Sequence, residues 1–158
     1  LLKDPCHIGR LNEILAVYPE ASFIQIHRDP VETIPSICSL IEKTRSPFTN
    51  LIDKNEIGSR TLSYWEESLA KGEKEKSGIS QDKFINVKFE DFIVKPIEQI
   101  KAIYSQLDLN LDKETERKMI DFTQKFKKAE KAKHSYGLSE FGLSKESVQN
   151  TLSKYISF

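Results

Sequence analysis

The pattern of apolar and polar positions changes period several times along the chain. Phe23-Ile24-Gln25-Ile26 is a short apolar run behind a Pro19-Glu20 break, which predicts a strand buried on both faces. Leu1-Leu2-Lys3 reads as the end of another apolar strand, and Phe84–Phe89 as a third. Helical spacing predicts helices from about Pro5 to Tyr18, from Pro30 to Arg45, and through Leu62, Trp65 and Leu69 to an end near Gly72 or Gly78. A further helix runs from about Lys95 to Leu107, with Ile97, Ile100, Ile103 and Tyr104 on one stripe. Asp112 caps the next, which runs through Phe122 and Phe126, and the tail from Lys145 to Tyr155 is amphipathic. Ser46 to Asn55 is a loop, because Pro47 and a run of turn formers interrupt the pattern. Strands alternating with helices predict a parallel sheet with right-handed crossovers. Three strands do not make a whole sheet of this kind.

Two strand ends carry the same local grammar. After the Phe23 strand come His27-Arg28-Asp29-Pro30, with Asp29 placed as N-cap, Pro30 at the first helical position and Glu32 completing a capping box. Free N–H groups at such a helix start favour an anion, and ligands of open α/β sheets sit at the carboxyl ends of strands. Arg28 stands at that corner, and Ser36, eight residues on, shares its helix face. The spacing fits a phosphate site and equally a plain ion pair between Arg28 and a carboxylate. The chain opens with the second copy, Lys3-Asp4-Pro5, followed by His7 in the first turn. Parallel strands place both cations on one edge, so a ligand with more than one anionic group is the natural guest. Pro35 is a local inconsistency inside the second helix, since it removes one backbone hydrogen bond next to Ser36.

These segments resemble a family of sulfotransferases. Leu2-Lys3-Asp4-Pro5-Cys6-His7, then Leu15-Ala16-Val17-Tyr18-Pro19, then His27-Arg28-Asp29-Pro30 with Ser36 are similar to bacterial and related members whose turns read Leu-Lys-Ser-Pro-x-His and His-Arg-Asp-Pro. Val87-Lys88-Phe89-Glu90-Asp91-Phe92, His134-Ser135-Tyr136 and Phe141-Gly142-Leu143-Ser144 resemble further family segments, in the family's order. The resemblance implies a P-loop NTPase-like three-layer α/β fold with a parallel sheet and a helix-rich C-terminal half. It implies that Arg28 and Ser36 hold the 3′-phosphate of 3′-phosphoadenosine-5′-phosphosulfate, with Phe89 near the adenine. It also implies transfer of a sulfuryl group to an acceptor hydroxyl or amine, with His7 as candidate base and Lys3 as electrophilic partner; no metal is called for. A first-turn histidine would be kept neutral by the helix dipole. The class of acceptor is invisible in the sequence.

Two departures stand out. Asp4 replaces the family's usual serine and sets a carboxylate beside Lys3. No glycine- and hydroxyl-rich loop follows a strand, because Gly72-Glu73-Lys74-Glu75-Lys76-Ser77-Gly78 is charged and lies in a helical or linker context. The expectation is therefore a C-terminal part, residues 1–158, of one sulfotransferase-like domain whose N-terminal strand and phosphate loop lie elsewhere. Such a part would be inactive alone. Two other readings stay open: a non-catalytic nucleotide-binding or scaffold remnant, and a P-loop kinase-like phosphotransferase.

Composition changes this picture little. The 158 residues suit one core, and 24 basic against 24 acidic side chains give no reason to expect nucleic acid or acidic lipid as partner. No apolar run is long enough to cross a membrane. Cys6 and Cys38 form no redox or metal spacing and read as reduced thiols of a cytoplasmic protein, with a leader or anchor upstream left open. The Lys125–Lys133 run reads as a solvated helix face, Trp65 with Tyr64 as helix core, and His27 as a hydrogen-bonded residue beside the turn.

Overall fold

A computed structural model describes residues 1–128 and 137–155. Its helices are α1 (Leu11–Val17), α2 (Pro30–Arg45), α3 (Lys54–Lys76), α4 (Phe89–Val94), α5 (Pro96–Gln106), α6 (Lys113–Lys128) and α7 (Lys145–Leu152). Two strands, β1 (Phe23–His27) and β2 (Phe84–Lys88), pair in parallel with Phe23 opposite Phe84 and His27 opposite Lys88. The chain is thus a helix-rich α/β protein, divided into two compact units. One holds Leu1–Ala21, Arg28–Ser80 and the described part of Ser135–Phe158; the other holds Ser22–His27 and the described part of Gln81–His134.

The first unit is organised by α3. Its apolar core gathers Ile34 and Cys38 of α2, Ile57 and Leu69 of α3, Phe141, and Val148 and Leu152 of α7. Trp65 and Leu62 pack against this cluster, so Trp65 is core as its spacing predicts. Asp53 caps α3 by accepting from Asn55 N at 2.9 Å and Glu56 N at 3.2 Å. Of the two ends offered, the helix takes the one near Gly78, running through Gly72 to Lys76. Gly72 is a contact residue, not a terminator: a Cβ at this position would collide with the Ile8 carbonyl, and one at Gly58 with the Phe141 carbonyl. Two neighbouring 3₁₀ turns, Pro5–Gly9 and Leu138–Phe141, seat their backbones in these notches.

That seating explains why the predicted Pro5–Tyr18 helix is broken. The turn Pro5–Gly9 ends at Arg10, whose φ of −142° and ψ of 34° are not helical, and α1 restarts at Leu11. Arg10 gives α1 no side-chain cap. The cap comes instead from α3, where the largely buried Glu75 carboxylate accepts from Leu11 N at 2.7 Å and Asn12 N at 3.3 Å. Lys71 joins this carboxylate at 3.4 Å and Glu13 at 2.8 Å. Leu1-Leu2-Lys3 is not a strand; these residues are exposed and belong to no element, so among the described residues the sheet has two strands, not three.

In the second unit Phe23 and Phe84 stack with ring centroids 5.1 Å apart, and Phe84, Ile85 and Val87 are buried. The expectation that β1 is covered on both faces fails for the described residues, since Ile24 and Ile26 are 41% and 54% exposed. The α5 helix ends in a reverse turn in which Leu109 N donates to the Tyr104 carbonyl at 2.8 Å. Asp108 takes a left-handed φ of 51° there, a place usually given to glycine. Asp112 caps α6 as the sequence predicts, accepting from Thr115 N at 2.8 Å.

Gly72→Ala should destabilise the protein by about 1–3 kcal/mol, because the added methyl has backbone rather than a movable side chain in its way. Urea unfolding checks this; a loss no larger than that of an exposed surface substitution would mean the notch is not needed.

Candidate functional site

The two Asp-Pro turns are built alike. Asp4 has extended backbone, with φ −153° and ψ 132°, and its carboxylate accepts from Cys6 N at 2.7 Å. At the second turn Asp29 accepts from Val31 N at 2.8 Å. In both cases proline supplies the first helical position and needs no donor partner. The departure at Asp4 from the serine expected there is therefore mild in structural terms, since serine and aspartate are comparable caps. The Cys6 amide, followed by the charges of His7 and Arg10, holds the Asp4 carboxyl below the usual carboxylate range.

His7 is half-buried, and its amide donates to the Asp4 carbonyl at 3.2 Å. It sits in a five-residue 3₁₀ turn, not at the head of a long α-helix. The dipole argument for its neutral form lapses, because no run of aligned peptides stands behind it. The Cys6 thiol next to it, together with burial, pushes the Tyr64 phenol of α3 up, while Ser68 opposes the shift. Lys3 is exposed on the residues leading into the turn.

At the second turn the structure corrects two expectations. Glu32 does not close a capping box on Asp29. Its carboxylate takes the Nε and Nη2 groups of Arg28 at 3.2 and 3.0 Å, the i,i+4 pairing of a helix surface. Nor does the start of α2 offer a set of free amides to an anion. Val31 N is bonded to the Asp29 side chain, and Glu32 N and Thr33 N both donate to the Asp29 carbonyl at 3.1 Å. A phosphate at this corner must be held by side chains. Ser36 lies half-buried in α2, immediately after the buried Pro35, and the helix continues without interruption through that proline.

Lys3, His7, Arg28 and Ser36 belong to the first unit, where both turns lean on one core: Ile8 and Val31 pack against the same cluster. Phe89 belongs to the second unit and is not a strand residue. It is half-buried at the first position of α4, directly after β2 ends at Lys88. His27 satisfies its ring with Asn86, Nε2 to Oδ1 at 2.9 Å, as its place beside the turn predicts. His134 and Tyr136, and Ala129–Lys133 of the basic run, lie outside the described residues. Phe141 is 1% exposed core, and Gly142, at φ 65°, turns the chain behind it, so that part of the closing segment has a packing role. Cys38 is fully buried, which pushes its thiol up and leaves it an inert core residue. An open depression of about 430 Å³ in the second unit is lined by none of the motif residues, and the Lys101–Glu116 ion pair at 2.6 Å lies among its lining residues.

Comparison with known proteins now settles the lineage. The sequence profile of the Sulfotransferase family matches residues 1–113. The chain belongs to the sulfotransferase family. It is 30% identical over 116 residues to the omega-hydroxy-beta-dihydromenaquinone-9 sulfotransferases Stf3 of Mycobacterium bovis and Mycobacterium tuberculosis, an alignment covering 69% of this chain. It also resembles the crystal structure of sulfotransferase STF9 from Mycobacterium avium, with a TM-score of 0.87 and 27% identity over 98% of this chain. For STF1 from Mycobacterium tuberculosis the TM-score is 0.81, with 28% identity over 97%. The matched region spans 28% of the length of the Stf3 relatives, and 40% and 39% of the two solved chains. Among the described residues no helix is long and apolar enough to cross a membrane.

Sequence reasoning missed Glu32 as the partner of Arg28, although the four-residue spacing was there to be read. It read Tyr64 as helix core, whereas Tyr64 is 45% exposed, and it missed Ser68, whose backbone lies against Gly9, and Glu75, which caps α1; no local pattern announces a contact made across more than fifty residues.

The Asp4 cap has a definite pH signature. Its carboxyl is lowered in the folded state, so its contribution is present above the ordinary carboxylate range near 4 and is lost as pH falls through the lowered value. Asp4→Ala should lower the melting temperature at pH 7, with the gap to wild type closing in acid, whereas Asp4→Ser should keep the neutral-pH value. Thermal melts across that range decide it; a gap that persists at low pH would assign the loss to something other than the carboxylate.

Proposed function

We propose that this chain carries the 3′-phosphate site and the acid–base groups of an enzyme moving a sulfuryl group from 3′-phosphoadenosine-5′-phosphosulfate to an acceptor hydroxyl or amine. The observation that carries this reading is the repeated cation-Asp-Pro turn on one unit. In each turn the aspartate consumes the helix-start amides, so Lys3 and Arg28 are the groups that can attract a polyanion. Family membership supplies the chemistry, and its P-loop-type three-layer sheet supplies the frame into which β1 and β2 fit.

Arg28 and Ser36 hold the 3′-phosphate, and Phe89 lies beside the adenine. The acceptor oxygen attacks sulfur in line, its proton passes to His7, and the bond from sulfur to the bridging phosphate oxygen breaks. Lys3 stabilises charge on the oxygens of the transferring and departing groups. For the acceptor, the Stf3 relatives carry a hydroxylated menaquinone in their names, so a lipid hydroxyl is the class to try first. No step calls for a metal.

The Arg28–Glu32 pair favours a second reading in which the turn is structural and the protein binds or scaffolds without transfer. Magnitudes favour the first. An exposed i,i+4 pair contributes about 0.3–0.5 kcal/mol, against about 1.5–3 kcal/mol for a hydrogen bond to a charged group, so a phosphate can draw Arg28 from Glu32.

Equilibrium binding of 3′-phosphoadenosine 5′-phosphate against adenosine 5′-phosphate tests the assignment. The nucleotide with the 3′-phosphate should bind about ten- to a hundredfold tighter, Arg28→Ala should erase that preference, and Glu32→Gln should strengthen it about two- to threefold. Equal binding of the two nucleotides would sink the phosphate site. In the intact protein, His7→Ala should lower sulfuryl transfer by about 10²–10⁴-fold with nucleotide binding retained; undiminished transfer would remove His7 as the base.

A further inference from the structure

The loop between α2 and α3 shows solvent a set of side chains that a folded domain normally hides. Phe48 is 88% exposed and Leu51 92%, with Leu40 of α2 at 61%. The loop is not slack. Phe48 N donates to the Arg45 carbonyl at 2.9 Å, Leu51 N donates to the Thr49 hydroxyl at 3.0 Å, Ile52 packs on the core, and Asp53 caps α3. Anchored at both ends, it projects Phe48 and Leu51 from its tip.

Charge identifies the occupant. Lys43 and Arg45, in the last turn of α2, are exposed, and neither enters an ion pair among the described residues. Of the acids around them, Glu42 is held by Lys54 at 2.9 Å, Glu56 by Arg60 at 2.8 Å, and Asp53 is committed to its cap. The tip is therefore apolar with a positive shoulder. An aromatic and an aliphatic side chain beside two cations suit the headgroup layer of a bilayer carrying anionic lipid. The overall charge of zero gave no sign of this, because the cations are local.

We propose that residues 40–51 form a docking surface for an anionic membrane face, entered by Phe48 and Leu51 and steered by Lys43 and Arg45. The surface stands on the loop alone and does not depend on the sulfuryl-transfer reading. Exposed side chains can be changed here without touching the core.

Flotation with vesicles of phosphatidylglycerol and phosphatidylcholine in equal parts, set against pure phosphatidylcholine, tests it. The protein should float with the anionic vesicles, lose binding as salt rises, and bind pure phosphatidylcholine far less. Lys43→Gln with Arg45→Gln should weaken binding by about fivefold per cation, about 25-fold together, and Phe48→Ser with Leu51→Ser should abolish it, all at unchanged melting temperature. Absence of flotation, or equal flotation of wild type and both double variants, would overturn the proposal. So would self-association in the ultracentrifuge that Phe48→Ser with Leu51→Ser removes, since the face would then belong to a second copy of the chain.

Discussion

The first unit depends on how closely two backbone turns approach α3. At Gly72 and Gly58 the helix has no side chain, and the carbonyls of Ile8 and Phe141 occupy the space that a methyl group would need. Close packing of backbone on backbone fixes position more tightly than two long side chains could, because little can give way. Glu75 completes the clasp from the next turn of the same helix by capping α1, which has no cap of its own. One stretch of α3, from Ser68 to Glu75, thus sets where the Pro5–Gly9 turn lies. His7 inherits its place from that stretch.

The second turn is held by a different means. Val31, Ile34, Pro35 and Cys38 bury one face of α2, and the cap at Asp29 fixes where the helix begins. Ser36 then stands on a rigid element with Arg28 just ahead of its cap, as the proposed phosphate site requires. The cost is that each capping aspartate puts a negative charge at the helix start, where an anion would otherwise be drawn. On the proposed reading an anion binds here only if a basic side chain outweighs the cap, which makes the preceding residue, Lys3 or Arg28, the deciding one.

Local features were legible in the sequence. The helix from Pro30 to Arg45, the parallel pairing of the Phe23 and Phe84 strands, the Asp112 cap and the core role of Trp65 all follow from patterns within one element or one turn. Errors came where a distant contact overrules the local pattern. Of the two glycines offered as the end of α3, Gly78 is the one the structure takes and Gly72 serves as a notch, while the helix expected through Tyr18 breaks at Arg10 because the Pro5–Gly9 turn must seat on α3. Leu1–Lys3 is apolar enough for a strand, yet a strand exists only with a partner, and these residues have none among the described elements. Of the candidate site, residue identities were readable, but the commitments of Glu32 and of the α2 amides were not. Several arrangements satisfy the same spacing.

On the proposed reading, those commitments change what recognition at Arg28 means. A guanidinium resting on Glu32 is already neutralised, so a weakly charged ligand gains little by displacing the carboxylate. A phosphate monoester, with nearly two negative charges at neutral pH, gains more than Glu32 loses. On that reading the pair is a fixed cost to any anion that takes Arg28, so Glu32 weakens the site rather than sharpening it. An ion pair that looks like the bland alternative to a phosphate site is, on these energetics, one that a phosphate can displace.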